Sequence, residues 1–418
     1  MRILIYDINY APELTGVGKY TGEMGAWLAQ QGHTVQVITA MPYYPEWEIH
    51  PSYKNKGWFT EIIDGVIVNR CPFYVPKQVT ALKRILHEFS FALSSLPYWI
   101  KALVGDSYDV VICVSPPFQT GLLPALYTLL RKAPLWYHLQ DLQVDMAKEL
   151  GMINNKSVLR LLFKIEQFIL KRSTVVSTIS EGMLRKLVAK QVPQPRYVLF
   201  PNWVDQDYIK PLSIQDSLRS ELGLSLHDKV VLYSGSLGEK QGLALIIEAA
   251  ARFKARNDIK FLIVGSGADR DHLMSLTYKA HLTNVLFYPL QPYNKLSALL
   301  ATADIHLVLQ KKSVSDLVLP SKLTSILAAG GCALVSAEPG TTLYDTVHAH
   351  QMGILINPES AEALIDGIDQ ALQSDLTDYK QNARTYANQY LSKETVLQQF
   401  EEELLSLQGK VPERLVAH

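Results

Sequence analysis

Short β-branched runs alternate with longer amphipathic stretches along nearly the whole chain. Ile3 to Tyr6 reads as a strand, and Val17 to Gln31 as a helix that stops at Gly32. "TVQVIT" from Thr34, "VVICV" from Val110, "LWYHL" from Leu135 and "TVVST" from Thr174 continue the strand series. Around Pro201 the pattern restarts with "VVLYSG" from Val230, "KFLIVGSG" from Lys260, "NVLFY" from Asn284, "DIHLVL" from Asp304 and "CALVS" from Cys332. Strands separated by helices predict parallel sheets covered on both faces. The chain therefore reads as α/β with two doubly wound domains, 1–205 and 206–390, around a linker in "FPNWVDQDYIKP" at 200–211. A charged helical tail, 391–418, is free to return to the first domain. Ligands on such sheets bind beyond the carboxyl ends of the strands. With two domains facing each other, the expected site is the cleft between them.

Two stretches break the alternation. Val110 to Leu130 carries no charge, as a membrane span would require, but "SPPFQTG" in its middle splits it into strand, turn and helix. Val79 to Val104 mixes Lys83, Arg84 and Lys101 with Leu82, Ile85, Leu86, Phe89, Phe91, Leu96 and Trp99. Such a helix either packs on the domain core, kinked at Pro97, or lies on an anionic membrane. Periodicity alone does not separate the two.

Composition narrows the class. The 418 residues are 48% apolar and 19% charged with zero net charge, which fits a folded protein and argues against a general nucleic-acid binder. Cys71, Cys113 and Cys332 are too widely spaced for a zinc site or a disulfide framework and point to a reducing compartment. "MRILIYDINY" lacks the features of a signal peptide.

The glycine-rich "YSGSLGEKQGL" at 233–243 joins a strand to a helix, where free N–H groups favour an anion. It fits neither the Walker pattern nor G-x-G-x-x-G, so a phosphate loop and a plain tight turn both stand. "TGVGKYTG" at 15–22 also misses the dinucleotide spacing, and the second strand ends at Ala40 with no acid for a ribose, which counts against an NAD enzyme. In "LPSKLTS", Pro320 suits a first helical turn, with Ser321 and Lys322 at its N-terminus. At the end of an apolar run lie His138, Asp141 and Asp145, which serve either the chemistry or the fold, the aspartates as helix caps.

Taken in order, "PELTGVGKYTGEMGAWLAQQGHTVQVITA" at 12–40, "YHLQDLQVDMA" at 137–147, "STISEGM" at 177–183, "FPNWVD" at 200–205, "YSGSLGEKQGL" and "LPSKLTSILAAGG" at 319–331 resemble the GT-B glycosyltransferases of the glycosyltransferase-4 family, in particular its colanic-acid fucosyltransferase branch. The resemblance covers nearly the whole chain. It implies two Rossmann-like domains with a nucleotide-diphospho-sugar on the second. Gly235, Ser236 and Lys240 would approach the diphosphate, with Ser321, Lys322, Leu323 and Ser325 completing the cradle. Gly16 and Gly18 would approach the donor phosphates, Gly265 and Gly267 the nucleotide, and Tyr288, Pro289 and Leu290 the base. Asp141 is the first choice for a catalytic contact and His138 the second, while Glu181 reads as the cap of a helix start ahead of a role near the sugar.

The chain departs from the family at three points. An arginine common after the first glycine is replaced by Ser236. Two glutamates eight positions apart are replaced by Leu317 and Ser325, with Asp316 out of register. The implied activity is a retaining hexosyltransferase without cofactor or metal, no D-x-D motif ending a strand of the first domain. It would move a sugar, fucose being the branch's, from a GDP-sugar to a lipid-linked saccharide in exopolysaccharide synthesis. The implied location is the inner face of the cytoplasmic membrane, with 79–104 as the contact. A UDP-sugar donor, or a non-catalytic nucleotide-sugar binder, are the alternatives.

Overall fold

The structure, a computed structural model, describes residues 1–149, 151, 153, 155–192, 195–238, 241–312 and 320–409. The chain forms two compact units: Met1–Pro201, to which the chain returns from Leu397, and Asn202–Val396.

In the first unit the order is β1 (Arg2–Tyr6), α1 (Gly16–Gln30), β2 (Thr34–Ala40), β3 (Phe59–Ile63), β4 (Val66–Cys71), α2 (Ala81–Val104), β5 (Val110–Ser115), α3 (Leu122–Arg131), β6 (Leu135–Leu139), α4 (Gln143–Glu149), α5 (Lys156–Arg172), β7 (Val175–Thr178), α6 (Glu181–Ala189) and β8 (Arg196–Leu199). These strands form one sheet in the order β3-β4-β2-β1-β5-β6-β7-β8. All neighbours are parallel except β3 and β4, a hairpin turning at Asp64 and Gly65, both at positive φ. Helices cover both faces of the inner strands, so β5 and β6 are buried at every position and read as unbroken apolar runs.

The hairpin and β8 lie outside the strand series read from the sequence. Polar residues explain the first omission. Arg70 on β4 is fully buried, yet its guanidinium bonds Glu61 Oε1 at 2.7 Å, the Ala40 carbonyl at 3.0 Å and the Ala11 carbonyl. An internal cation so satisfied is tolerated in a strand, but it breaks the apolar pattern.

Helix α2 runs through Pro97 and has two faces. Phe91 and Trp99 pack on Tyr6 of β1, with ring centroids 5.2 and 5.1 Å away. Leu82, Leu86, Phe89, Leu93 and Ile100 lie opposite and are exposed. Core packing therefore occupies only one face of the 79–104 segment.

In the second unit the order is β9 (Lys229–Ser234), α7 (Ala244–Arg252), β10 (Ile259–Val264), α8 (Arg270–Lys279), β11 (Val285–Tyr288), α9 (Leu296–Ala301), β12 (Ile305–Val308), α10 (Lys322–Ala328), β13 (Ala333–Ser336), α11 (Thr342–His350), β14 (Gly353–Ile356), α12 (Ala361–Gln373) and α13 (Thr377–Tyr390). The sheet is wholly parallel, β11-β10-β9-β12-β13-β14. The order reverses between β9 and β12, and the carboxyl ends at such a reversal open a crevice.

The last helix, α14 (Lys393–Ser406), carries the chain back to the first unit. Phe400 stacks on Phe200 at 4.3 Å and meets Trp136 edge-on at 4.8 Å. Glu401 accepts from or pairs with His33 Nε2 at 2.8 Å, and Arg196 pairs with Glu403. Phe400 is 2% exposed, so Phe400→Ala should leave a cavity and destabilise the first unit by about 3–5 kcal/mol, read by urea unfolding.

Candidate functional site

At the reversal point of the second sheet, β9 ends in a turn that only glycine accommodates readily. Gly235 has φ +137°, and a Cβ there would lie 3.2 Å from Lys322 Nζ. Lys322 opens α10, and its ammonium sits 3.5 Å from the centroid of the Tyr233 ring. Its Nζ is buried and has no hydrogen-bond partner among the described residues. Burial pulls the amine down to about 7, because the ammonium loses water. The Tyr233 hydroxyl donates to the Ser236 carbonyl at 2.8 Å, fixing the turn beneath the lysine. The Ser236 side chain is exposed.

The second glycine turn braces the first. Gly265 N–H donates to the Tyr288 carbonyl at 3.0 Å, and Gly235 N–H to the Val264 carbonyl at 2.9 Å. A Cβ on Gly265 would lie 1.9 Å from the Gly235 carbonyl oxygen, and one on Gly267 2.2 Å from that of Leu237. These glycines thus have a packing role: they admit the 235–237 backbone. The Tyr288 hydroxyl is spent on the Leu222 carbonyl at 2.8 Å, while Leu290 is exposed. Leu323 lies in the core, and its N–H bonds the Pro320 carbonyl at 2.9 Å, so it offers neither side chain nor N–H to a ligand. Ser321 precedes α10 without a side-chain cap, and Ser325 is half-buried on that helix. Lys240, Asp316 and Leu317 lie outside the described residues.

In the first unit, polar groups gather beyond the ends of β1, β2, β5 and β6. Helix α1 opens on Gly16 at φ +63°, with no side-chain cap from Thr15. The Tyr44 ring lies 3.1 Å from where a Gly16 Cβ would stand. Gly18 is held against Glu13, where a Cβ would meet Oε2 at 2.5 Å. Glu13 Oε1 accepts from the N–H groups of Tyr43 and Tyr44, both at 3.0 Å, and Oε2 from Asn9 Nδ2 at 2.9 Å. Burial nevertheless pushes its carboxyl up to about 7. Asp7, at the end of β1, is fully buried and pushed up to about 8. It is bonded to Thr21 Oγ1 at 2.5 Å and Asn9 N–H at 3.1 Å.

Asp141 is half-buried just beyond β6. It faces Tyr44 electrostatically: burial raises the phenol, and the charges of Glu13 and Asp141 raise it further while Arg84 lowers it. His138 has a different environment. Its Nδ1 is 2.9 Å from Ser177 Oγ and its Nε2 is 3.1 Å from Gln140 Nε2, and burial holds it down at about 3. With both ring nitrogens occupied, the neutral imidazole braces β6 against β7. Asp145 pairs with Lys190 at 2.5 Å, as does Glu166, and so serves the fold. Ser180, rather than Glu181, caps α6, accepting from Met183 N–H at 3.3 Å.

Asp7, Glu13, Tyr44 and Glu88 were not singled out from the sequence, and Arg84 was named only among the basic residues of the 79–104 segment. Glu88, 5% exposed, accepts from Arg84 Nε at 3.1 Å and Gln119 Nε2 at 2.5 Å. Asp7 carried a usable signal, a carboxylate ending an apolar strand. Glu13 and Glu88 carried none, because besides the near partners Asn9 and Arg84 each is held by groups 30 or more positions away.

The raised Asp7 and Glu13 carboxyls bind protons more tightly folded than unfolded. Their contribution to stability is complete below about pH 4 and is lost as pH rises through about 7 to 8. Asp7→Asn mimics the protonated form, since its amide can donate to Thr21 Oγ1, which donates to the Val17 carbonyl at 3.1 Å. Melting temperatures across this range should therefore fall less steeply in the variant than in the wild type.

Residues 15–203 match the family "Glycosyl transferase 4-like domain", and residues 214–390 match "Glycosyl transferases group 1". A chain of Escherichia coli (strain K12) that carries the name colanic acid biosynthesis glycosyl transferase WcaI is 43% identical over 96% of this chain and 98% of its own. An N-acetyl-alpha-D-glucosaminyl L-malate synthase of Bacillus anthracis is 23% identical over 75% of this chain and 74% of its own. Among solved structures, sucrose-phosphate synthase from Thermosynechococcus elongatus superposes with a TM-score of 0.77 at 17% identity, over 98% of this chain and 99% of its own. Anabaena HepE, solved with UDP and glucose, gives 0.71 at 16% identity, over 97% and 100%. This chain belongs to the group 1 family of GT-B glycosyltransferases.

Proposed function

We propose that this chain is a retaining, metal-independent glycosyltransferase of colanic-acid-type exopolysaccharide synthesis. It moves fucose from a GDP-sugar to a lipid-linked saccharide at the inner face of the cytoplasmic membrane. The colanic-acid assignment leans on the 43% identity to the Escherichia coli relative. The observation that carries the donor half is the buried ammonium of Lys322, which faces the Gly235 turn with no partner among the described residues. An unpaired buried cation is costly, and an anion at the turn would relieve the cost. A nucleotide diphosphate supplies that anion, and its charge grows as the glycosyl bond breaks.

In this reading the C1–O bond to the diphosphate breaks while the acceptor oxygen bonds C1 from the same face. The acceptor proton passes to a departing phosphate oxygen. Asp141 orients the acceptor hydroxyl, and His138 positions the strand that carries it. The exposed stripe of α2 makes the membrane contact. UDP as the donor nucleotide is the second reading, since HepE, of the same fold, was solved with UDP.

Calorimetry with GDP and UDP, each with and without EDTA, tests the donor half. GDP should bind more tightly than UDP and without regard to EDTA. An anion beside Lys322 raises its pKa, so binding takes up a proton at about pH 8, and affinity falls as pH rises above about 7. Lys322→Met should abolish the uptake and weaken GDP at least about tenfold. Binding of neither nucleotide would overturn the reading, and a UDP preference would move the donor to the second one. Asp141→Asn should keep GDP affinity and lower turnover roughly a hundredfold. Undiminished turnover would remove Asp141 from the site.

A further inference from the structure

Aromatic side chains meet beyond the carboxyl ends of β2 and β4, on the side of the first sheet where the polar cluster lies. Tyr43, Tyr44 and Trp47 follow β2, Phe73 follows β4, and His87 belongs to the first turns of α2. The His87 ring lies 4.8 Å from those of Tyr43 and Phe73 and 5.1 Å from that of Trp47, while Trp47 meets Tyr43 edge-on at 5.5 Å. Tyr43 and His87 are buried, Trp47 and Phe73 half-buried, and Tyr44 is 37% exposed, so the rings lead from the core to water. Packing accounts for the inner rings, since Phe73 continues to Phe91 at 6.4 Å. It does not account for the outer ones. Trp47 stands at φ +55°, where a bulky side chain is strained, and such strain persists mostly at functional positions.

The polar atoms of this cluster are largely unspent. His87 Nδ1 lies 2.6 Å from the Tyr74 carbonyl, which only accepts, so Nδ1 carries the proton and Nε2 the lone pair. His87 is 1% exposed, and its Nε2 has no hydrogen-bond partner among the described residues. Burial holds the imidazole down at about 4, so the ring is neutral and the lone pair stays available. A buried acceptor without a donor is costly, and each such group calls for an explanation. The Trp47 indole N–H and the Tyr44 hydroxyl also make no hydrogen bond among the described residues. Arg84 gives Nε to Glu88 at 3.1 Å, its side chain is 48% exposed, and its terminal nitrogens have no partner among the described residues. Both Arg84 and Asp141 act on the Tyr44 phenol through their charge. The cluster therefore borders the proposed catalytic carboxylate.

These groups select the ligand. A lipid chain would cover the rings but leave every polar tip unpaired. An organic cation would meet the like charge of Arg84, and Glu88 beside it is already spent on Arg84 and Gln119. A small anion would use Arg84 alone and leave the rings idle. A pyranose ring uses all of them: the C–H groups of one face lie on aromatic rings, and its hydroxyls both donate and accept. We infer that Tyr44, Trp47, Arg84 and His87 form a saccharide subsite that reads one sugar ring of the acceptor. The C–H face of that ring stacks on Trp47 and Tyr44. Its hydroxyls take the indole N–H and the guanidinium, and one reaches His87 Nε2 as the Trp47 indole turns aside. The inference rests on the glycosyltransferase reading and names the side chains that set acceptor specificity, a task distinct from that of Asp141.

Saturation-transfer NMR of the full chain tests this, with methyl α-L-fucoside, methyl β-D-glucoside and methyl β-D-galactoside as sugar probes and geranyl diphosphate as the lipid probe. At least one glycoside should receive saturation, most strongly at the protons of one ring face. Trp47→Ala should cut that transfer at least about threefold. Trp47→Phe keeps a ring face and should retain most of it. His87→Asn, whose amide still donates to the Tyr74 carbonyl but lacks the Nε2 lone pair, should weaken the glycoside about threefold or more. GDP affinity, carried by the second unit, should stay at the wild-type value in all three. Transfer to no glycoside, or equal transfer in wild type and Trp47→Ala, would reduce the cluster to packing and overturn the inference, while GDP binding would keep the glycosyltransferase reading. Loss in Trp47→Phe as complete as in Trp47→Ala would refute the stacking. If only geranyl diphosphate loses transfer in Trp47→Ala, the rings hold a lipid and the saccharide subsite is refuted.

Discussion

The structure is organised around charges held in places where water does not reach. Lys322 is the clearest case. Its ammonium lies against the Tyr233 ring with no hydrogen-bond partner among the described residues, and a Cβ at Gly235 would stand 3.2 Å from it. Such a lysine is half-neutral near pH 7 and becomes fully cationic when an anion arrives. Placing it at the sheet's reversal point lets the fold, rather than a flexible side chain, aim the charge.

The first unit solves the opposite problem. Asp7 and Glu13 are carboxyls buried beside the start of α1, with only hydroxyl, amide and N–H partners. Glu13 ties the 43–44 backbone to the Gly18 segment, so the glycine loop is shaped by a carboxyl group and not by flexibility. Tyr44 then carries the connection outward, between Gly16 and the charges of Asp141 and Arg84.

Helix α2 shows how one element serves two environments. Its inner face is fixed by the stacked rings of Tyr6, Phe91 and Trp99, and its first turns supply His87 and Glu88 to the polar cluster. Packing fixes the outward direction of the remaining apolar side chains. A helix that packed only on the core would need no leucines on its solvent face.

The alternation of apolar runs and helices determined the fold class, because strands buried on both faces must be apolar and local in sequence. It determined the glycine turns and the lysine that opens α10, because each depends on a few adjacent residues. The resemblance also rested on such short segments. Tertiary structure decided everything that depends on distant partners. It alone made Leu323 a core residue, occupied both nitrogens of His138, buried Arg70 with three acceptors, and brought Glu13, Glu88 and Tyr44 to one place. It alone showed that the apolar face of 79–104 is divided between core and solvent. Burial and partnership are properties of space rather than of the chain, so periodicity can name a face without saying what covers it.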